Sequence, residues 1–227
     1  MVFGGLTVAY GFAGHLVEHV EFVGNSRAEA AGLRHLVDVR NGTAMGGVDL
    51  ARVEEGAQRH PWIRSAKAYR RWPDTVVVDV QEYQPVALLQ RDGLWYVDAD
   101  GTVFARGFGR DLDFPVITGI DDELGASHPD LPGLAIRESL TLLNALDAQG
   151  LVARDRVSEI AFSRHQGFAV HVRSGARIWF GFDGHEQELG RLRSLVDQGV
   201  DLQDRILVDL APESLAIVRP LDRGGEG

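Results

Sequence analysis

The sequence predicts an α+β protein in which a β-α-α-β-β module is followed by a mostly antiparallel β-domain with two packed helices. Two segments with apolar residues at helical spacing stand between strand-like segments early in the chain. A β-hairpin pattern follows them directly. After Pro85 the pattern changes to short strands separated by turns that contain glycine, with two further helical stripes among them. These observations favour two domains, each with its own core.

The first module is expected over residues 17–84. Residues 17–23 read as a strand that ends at a Gly-Asn turn. Apolar residues recur at helical spacing over 27–37 and again over 48–60, where Asp49 is placed to cap the second helix. The predicted order is therefore strand, helix, helix and then a hairpin, with both helices on one face of a three-stranded sheet.

The hairpin is the best defined element of this module. Val76, Val78 and Val80 alternate with other residues, as in a strand with one face more apolar than the other. The preceding Trp72-Pro73-Asp74-Thr75 segment favours a turn, because proline restricts φ and aspartate can accept hydrogen bonds from nearby backbone. No reactive group stands in this hairpin, which suggests a docking surface.

The second domain is expected over residues 85–221, and it begins as an antiparallel meander with two Asp-Gly turns. A loop is predicted from Gly107 to Pro132. Helices are predicted over 134–149, which Gly150 ends, and over 186–198. The predicted strands are 86–90, 94–97, 102–105, 157–163, 168–172, 177–180, 206–210 and 215–218.

Composition excludes several function classes. A formal net charge of -10 disfavours nucleic acid as a partner, since phosphate binding requires a basic surface. Cysteine is absent, so disulfides, thiol nucleophiles and thiolate metal sites are excluded. No Gly-x-Ser-x-Gly elbow, phosphate-binding glycine loop or dinucleotide fingerprint occurs. We therefore expect no enzyme, no cofactor and no small-molecule substrate.

Three groups of residues resemble metal or catalytic ligand sets. The Asp98 to Gly101 segment resembles the opening of a calcium loop but lacks the remaining ligands, which favours a hairpin turn. His15 and His19 are four residues apart, as two zinc ligands on a helix would be, yet no third ligand has a matching spacing. The carboxylates of residues 121–123 are adjacent in a loop, which does not place two groups across a substrate.

The two ends of the chain are interpreted from composition. Residues 2–13 are apolar but too few to cross a bilayer, which needs about 20 helical residues. We expect residues 1–16 to be the outer end of a membrane-anchor helix that starts upstream; a short buried lead-in segment is the alternative. The tail 222–227 is expected to be disordered.

Three segments resemble the bacterial cell-division family FtsQ/DivIB: VEFVGN at 20–25, HPWIRSAKAYRRWPDTVVVDVQEYQPVALL at 60–89 and WYVDADGTVF at 95–104. The resemblance implies a POTRA domain, a β-domain and one preceding transmembrane helix. It also implies a non-enzymatic scaffold of the divisome at the septum, with both domains on the periplasmic or extracytoplasmic side of the inner membrane. The alternatives are a POTRA-containing component of protein translocation or outer-membrane assembly and, less favoured, a hydrolase of the cell wall.

The terminal strand is the predicted partner site. An edge strand can take an added strand from another chain, and nothing later in the sequence covers this one. The resemblance implies that FtsB, arriving with FtsL, pairs there, and Arg164 is a weaker candidate for a charged contact. Ala211 and Pro220 depart from the arginine and the aromatic residue that the family commonly has at these positions. The predicted pairing residues are Ser214, Leu215, Ala216, Ile217, Val218 and Arg219.

A local basic cluster on the hairpin comprises Arg64, Lys67, Arg70 and Arg71. It is interpreted either as a solvated strand face or as a surface that docks an acidic partner or an anionic membrane. The resemblance implies that this module takes part in recruitment to the division site, which would give the cluster a role.

Overall fold

The structure, a computed structural model, describes residues 14–107, 113–182, 185–212 and 214–221, with the backbone alone for Asp122, Glu123 and Ser127. Most of the expected anchor segment, residues 1–13, and the expected tail, residues 222–227, lie outside the described residues. Within the described residues, no helix has the length and apolar character needed to cross a membrane. The chain divides into two compact units, Met1–Tyr83 and Gln84–Gly227.

The first unit has the predicted order of strand, two helices and two strands, and so confirms that part of the predicted fold. Its sheet has the order β1-β3-β2, in which β3 is parallel to β1 and antiparallel to β2. A parallel pair needs a crossover, and the two helices provide it. The elements are β1 (His19–Val23), α1 (Ala30–Leu36), a 3₁₀ turn at Met45–Gly47, α2 (Leu50–Gln58), β2 (Ile63–Arg71) and β3 (Thr75–Glu82).

The core of the first unit lies between the helices and one face of the sheet. The alternating valines of β3 face the helices, and they pack with Leu33 of α1 and Met45 of the 3₁₀ turn. Val77 points to the opposite face but is also buried. Its neighbours across the sheet are Glu21 and Tyr69, so side chains on the two flanking strands cover this valine.

A glycine sets the distance between α1 and α2. A Cβ added at Gly56, in α2, would lie 2.5 Å from the carbonyl oxygen of Leu36, at the end of α1. Only a hydrogen atom fits this contact, so Gly56 lets the two helices approach closely.

A carboxylate closes the free edge of β2. Glu54 of α2 accepts a hydrogen bond from the backbone N–H of Ala68, at 2.9 Å. The ammonium of Lys67 lies 3.8 Å from the same carboxylate. The helix therefore occupies an outward-facing backbone donor that an added strand would need.

Glu82, at the end of β3, orders the segment between β1 and α1. Its carboxylate accepts the backbone N–H groups of Ser26, Arg27 and Ala28, at 2.8 to 3.0 Å. Burial acts to raise the pKa of Glu82, but these three hydrogen bonds outweigh it and hold the pKa below its ordinary value of 4.5. The charged form of Glu82 therefore stabilises the first unit.

The second unit is built on one nine-stranded sheet of order β12-β11-β10-β9-β8-β7-β4-β5-β6. Its strands are β4 (Pro85–Gln90), β5 (Leu94–Asp98), β6 (Val103–Arg106), β7 (Val116–Thr118), β8 (Val157–Ser163), β9 (Gly167–Val172), β10 (Arg177–Trp179), β11 (Ile206–Asp209) and β12 (Ile217–Pro220). Its helices are α3 (Asp122–Ser127), α4 (Leu131–Ala148) and α5 (His185–Asp197), with a 3₁₀ turn at Arg154–Arg156.

Two of the helices are crossovers between parallel neighbours. Helix α4 lies in the connection from β7 to β8, and α5 lies in the connection from β10 to β11. Strand β7 is also parallel to β4, while the remaining pairs of the sheet are antiparallel. Both helices contribute leucines to a single core over the sheet, among them Leu143 and Leu192. The predicted mostly antiparallel domain with two packed helices is thus confirmed.

The predicted loop from Gly107 to Pro132 was wrong in part. It contains the short strand β7 and the helix α3, and α4 begins at Leu131, before the predicted start. A three-residue strand is too short to show alternation. At the other end of the unit, β12 begins at Ile217, later than predicted, and includes Pro220.

Two matched glycine variants test the contact between α1 and α2. We expect Gly56→Ala to lower the free energy of unfolding by about 2 kcal/mol, because the new methyl group has no room against Leu36. Gly190→Ala, in α5, meets no atom within 4 Å and should raise the free energy by about 0.5–1 kcal/mol through helix propensity. Urea denaturation measures both values. Equal changes in the free energy of unfolding for the two variants would contradict the close approach of α1 and α2 at Gly56.

The role of Glu82 predicts a dependence of stability on pH. We expect Glu82→Gln to lower the free energy of unfolding at pH 7 by roughly 1–3 kcal/mol, since three N–H groups lose a charged acceptor. Because the folded pKa is lowered, the stabilisation is complete above the unfolded value and is lost as pH falls. The difference in free energy of unfolding between wild type and Glu82→Gln should therefore become smaller below pH 4.5. Glu29→Gln, at an exposed glutamate whose side chain makes no cap bond, is the control and should change little.

Candidate partner-binding edge

Strand β12 forms one edge of the nine-stranded sheet, paired on one side with β11. All of its residues are exposed. Of the predicted pairing residues, Ile217, Val218 and Arg219 lie in β12, and Ser214, Leu215 and Ala216 precede it directly. The structure thus brings this set together on one segment, which is exposed apart from the half-buried Ala216.

The register shows which backbone groups point outward. Beyond the strand, the N–H of Leu221 donates to the carbonyl oxygen of Arg205 at 2.9 Å. Because residues of an antiparallel pair face the partner strand alternately, Arg219 and Ile217 also direct their backbone toward β11. The N–H and C=O of Val218 and the C=O of Pro220 therefore point to the open side. Pro220 has no N–H, so Val218 supplies the outward donor of β12.

Apolar side chains accompany this edge. Leu215 is 64% exposed, Ile217 48% and Val218 39%. Ala216, by contrast, packs against the core of the second unit. An apolar surface next to unpaired backbone is typical of a site for another protein chain.

A groove of about 940 Å³ lies beside the segment that leads into β12. Residues of the β8–β9 turn, the end of β10, helix α5 and the segment after β11 line it. The indole N–H of Trp179 is buried there, with no acceptor among the described residues. Since buried donors are normally paired, this N–H is an unusual feature of a residue that lines the groove. Among the lining residues are His165, Gln166, Trp179, Glu188, Arg191, Asp209 and Ser214.

Helix α5 supports the segment that leads into β12. The guanidinium of Arg191 donates to the carbonyl oxygens of Leu210, at 2.5 Å, and Pro212, at 2.9 Å. The Glu188 carboxylate accepts the N–H of Gly181 at 2.8 Å and lies 2.8 Å from Nδ1 of the buried His185. Helix α5 is thus hydrogen-bonded to the residues that follow both β10 and β11.

Arg164 lies in the turn after β8 and faces a different cavity. This second cavity has about 640 Å³ and is lined mainly by apolar side chains, including Leu134, Phe162 and Phe168. The next residues in the same turn, His165 and Gln166, face the groove beside β12 instead. The predicted charged contact through Arg164 is therefore not at the β12 groove.

The basic cluster of the first unit does not form one face. Arg70 is turned toward the helices and donates to the carbonyl oxygens of Met45, at 2.6 Å, and Val48, at 2.5 Å. Arg71 forms an ion pair with Glu21 on the other face of the sheet. Arg64 is exposed at an irregularity in the pairing of β2 with β3. With Lys67 close to Glu54, the cluster is better described as single cations in separate surroundings.

The acidic candidates have structural roles where they are described. Asp98 accepts the N–H groups of Asp100 and Thr102 at 3.0 and 2.8 Å, which is the arrangement of a turn. Asp121 caps α3 by accepting the N–H of Leu124 at 2.8 Å. The side chains of Asp122 and Glu123 are outside the described residues.

Sequence reasoning identified the edge strand but missed the groove. Trp179 and Arg191 lie in different elements, and the connection between parallel strands brings them together. No spacing in the sequence relates them. The signal that was present is a tryptophan at the end of a strand, a residue type common at binding surfaces.

Two family models match this chain in series. Residues 16–83 match the FtsQ-type POTRA domain. Residues 87–211 match the C-terminal domain of the cell division proteins FtsQ/DivIB. Strand β12 lies after the last matched residue.

Curated relatives agree with these matches. A cell division protein FtsQ from Syntrophotalea carbinolica is 32% identical over 92% of this chain and 74% of its own length. Proteins of the same description from Anaeromyxobacter sp. strain K and Geotalea daltonii are 35% and 33% identical, over 79% and 76% of this chain. The chain spans 62% of the length of each of the latter two.

The support from α5 can be tested by amide hydrogen exchange. We expect Arg191→Met to increase exchange in residues 214–220 about tenfold, since the carbonyls of Leu210 and Pro212 lose their charged donor. Arg193→Met is the matched control: this arginine of the same helix donates to Gln149 instead. Unchanged exchange in Arg191→Met, measured by mass spectrometry, would show that the segment is held by other contacts.

Proposed function

The chain belongs to the FtsQ/DivIB family of cell division proteins, and we propose that it is a non-enzymatic scaffold of the division complex at the septum. Its β12 edge takes up a strand of an FtsB-type partner, which arrives together with an FtsL-type protein. A membrane helix that precedes His15 and Leu16, which pair with Met45 and Ala44 of the first unit, holds both domains outside the cytoplasmic membrane. The division role follows from the family, whereas the partners, the pairing mode and the anchor are the proposal.

The observation that supports β-augmentation is the open edge of β12. Three outward backbone groups in this strand, the N–H and C=O of Val218 and the C=O of Pro220, can extend the ladder by about three hydrogen bonds. Each such bond contributes roughly 0.5–1.5 kcal/mol net. Their sum, about 1.5–4.5 kcal/mol, reaches only the low end of the cost of association, about 4–15 kcal/mol, so backbone pairing alone gives weak binding.

Side-chain anchors must supply the remaining affinity. Leu215 and Ile217 offer apolar contact area at the edge. The groove beside it is lined by Trp179, whose buried indole N–H has no acceptor among the described residues. We therefore expect a partner segment that contains a short strand and, next to it, an apolar side chain and an acceptor that reaches the groove. In many protein–protein interfaces, likewise, a few buried anchor residues supply most of the binding free energy.

The first domain has a less specific role in this proposal. Arg64, Lys67 and Arg71 are exposed and are the candidates for recruitment, although Lys67 lies 3.8 Å from Glu54 and Arg71 is paired with Glu21. Arg70 is engaged with the backbone of the first unit. No observation favours the alternative role in protein translocation or outer-membrane assembly, and the match of residues 87–211 points to the division family.

The pairing mode predicts the effect of one backbone donor. We expect Val218→Pro to weaken capture of the partner pair about tenfold or more, because proline removes the outward N–H without removing a bond to β11. Val218→Thr keeps the N–H and the branched shape and should bind within threefold of wild type. Biolayer interferometry with the FtsB- and FtsL-type proteins of the source organism measures both.

Control measurements separate this effect from misfolding. The thermal unfolding midpoint of Val218→Pro should stay close to that of wild type, since the ladder between β11 and β12 is retained. Capture by Val218→Pro equal to that of wild type would refute strand addition at β12. Absence of any binding to wild type would instead refute the partner assignment.

A further inference from the structure

The start of β1 and the turn between β2 and β3 bring three metal-ligating side chains together. Glu18 and His19 are neighbours in sequence, and Asp74 reaches them from the hairpin turn. One donor atom of each residue lies within 4.8 Å of the other two. We propose that Glu18, His19 and Asp74 bind a divalent transition-metal ion, with zinc as the ion that best fits the donors.

The backbone fixes the relative position of these residues. The N–H groups of Glu18 and His19 both donate to the carbonyl oxygen of Asp74, at 2.9 and 3.2 Å. The hydroxyl of Thr75 donates to Oδ1 of Asp74 at 2.8 Å, which orients the carboxylate. Hydrogen bonds that orient a ligating carboxylate are a common feature of metal sites. The turn and the strand are thus joined before any ion binds.

The charge of the cluster favours a cation. Two carboxylates and a neutral imidazole carry two negative charges, and within the described part of the chain neither Glu18 nor Asp74 has an ion-pair partner. The neighbouring cation Arg71 is paired with Glu21. Arg71 also attracts Asp74 electrostatically without forming an ion pair with it. A divalent ion would therefore neutralise negative charge that the first unit offsets only in part.

The donor set selects among cations. Carboxylate oxygens alone suit calcium or magnesium, whereas an imidazole shifts the preference toward zinc and other transition metals. Zinc binds nitrogen and carboxylate oxygen at about 2.0–2.2 Å in a tetrahedron. Donor atoms within 4.8 Å need only small side-chain rotations to reach this geometry, and the exposed side chains of Glu18 and His19 can make them. Three protein ligands leave the fourth position for water.

The fold provides the ligands that the sequence alone did not. His15 and His19 lack a third ligand at matching spacing in sequence, and His15 instead packs against Trp72, with ring centroids 5.7 Å apart. Asp74 is far from His19 along the chain and becomes its neighbour through the parallel pairing of β1 with β3, in which His19 is opposite Thr75. The site is independent of the partner edge at β12.

Calorimetric titration of the whole chain with zinc chloride tests the site, after treatment with a chelator. We expect saturable binding of one ion to wild type and an affinity at least tenfold lower for His19→Ala and for Glu18→Gln. His35→Ala is the matched control, since it removes an exposed histidine from α1 of the same unit, and it should bind as wild type does. Zinc at a hundredfold excess over its dissociation constant should raise the unfolding temperature by roughly 5 °C or more.

Both variants change exposed side chains, so their metal-free unfolding temperatures should match that of wild type. A variant that folds normally and loses zinc binding supports the site. Binding by His19→Ala within twofold of wild type, or no saturable binding by wild type, would overturn the proposal.

Discussion

An open β-sheet has two edge strands, and their outward N–H and C=O groups find no partner within the sheet. The two units differ in how the outward groups of one edge strand are satisfied. In the first unit, Glu54 accepts the outward N–H of Ala68 and so covers the edge of β2. In the second unit, the outward groups of β12 have no strand partner among the described residues, and apolar side chains lie beside them. The same physical requirement is thus met by a side chain at the β2 edge, whereas the β12 edge stays open among the described residues.

An open edge binds well only if it is held in one conformation. The crossover helix α5 provides this support, because Arg191 binds the carbonyls that precede β12 and Glu188 binds the N–H of Gly181. Ordering the edge in advance lowers the entropic cost of association. The parallel pairing of β10 with β11 places α5 there. The topology of the sheet therefore supports the segment that leads into β12 as well as the core.

Local patterns predicted most of the fold, because alternation, helical stripes and caps are read from neighbouring residues. The short strand β7 and the helix α3 were missed, since neither is long enough to show a period. For the site, the edge position of the last strand could be predicted, whereas the groove around Trp179 could not. Arg70 was assigned to the surface, yet it lies on the helix-facing side of β2 and satisfies two carbonyls. Which side of a strand a residue faces depends on how distant strands pair, and a short stretch of sequence does not contain that information.

Pro220 gives the free edge a further property. Because β12 has one outward N–H, only one register of an incoming strand pairs all of its outward N–H and C=O groups. A shift of that strand by two residues would leave the N–H and C=O of Val218 without partners. The ring of Pro220 also prevents the ladder from continuing on that side. Sheets that grow into fibrils need long, evenly spaced rows of donors and acceptors. This short and interrupted row can accept one specific strand while resisting open-ended aggregation.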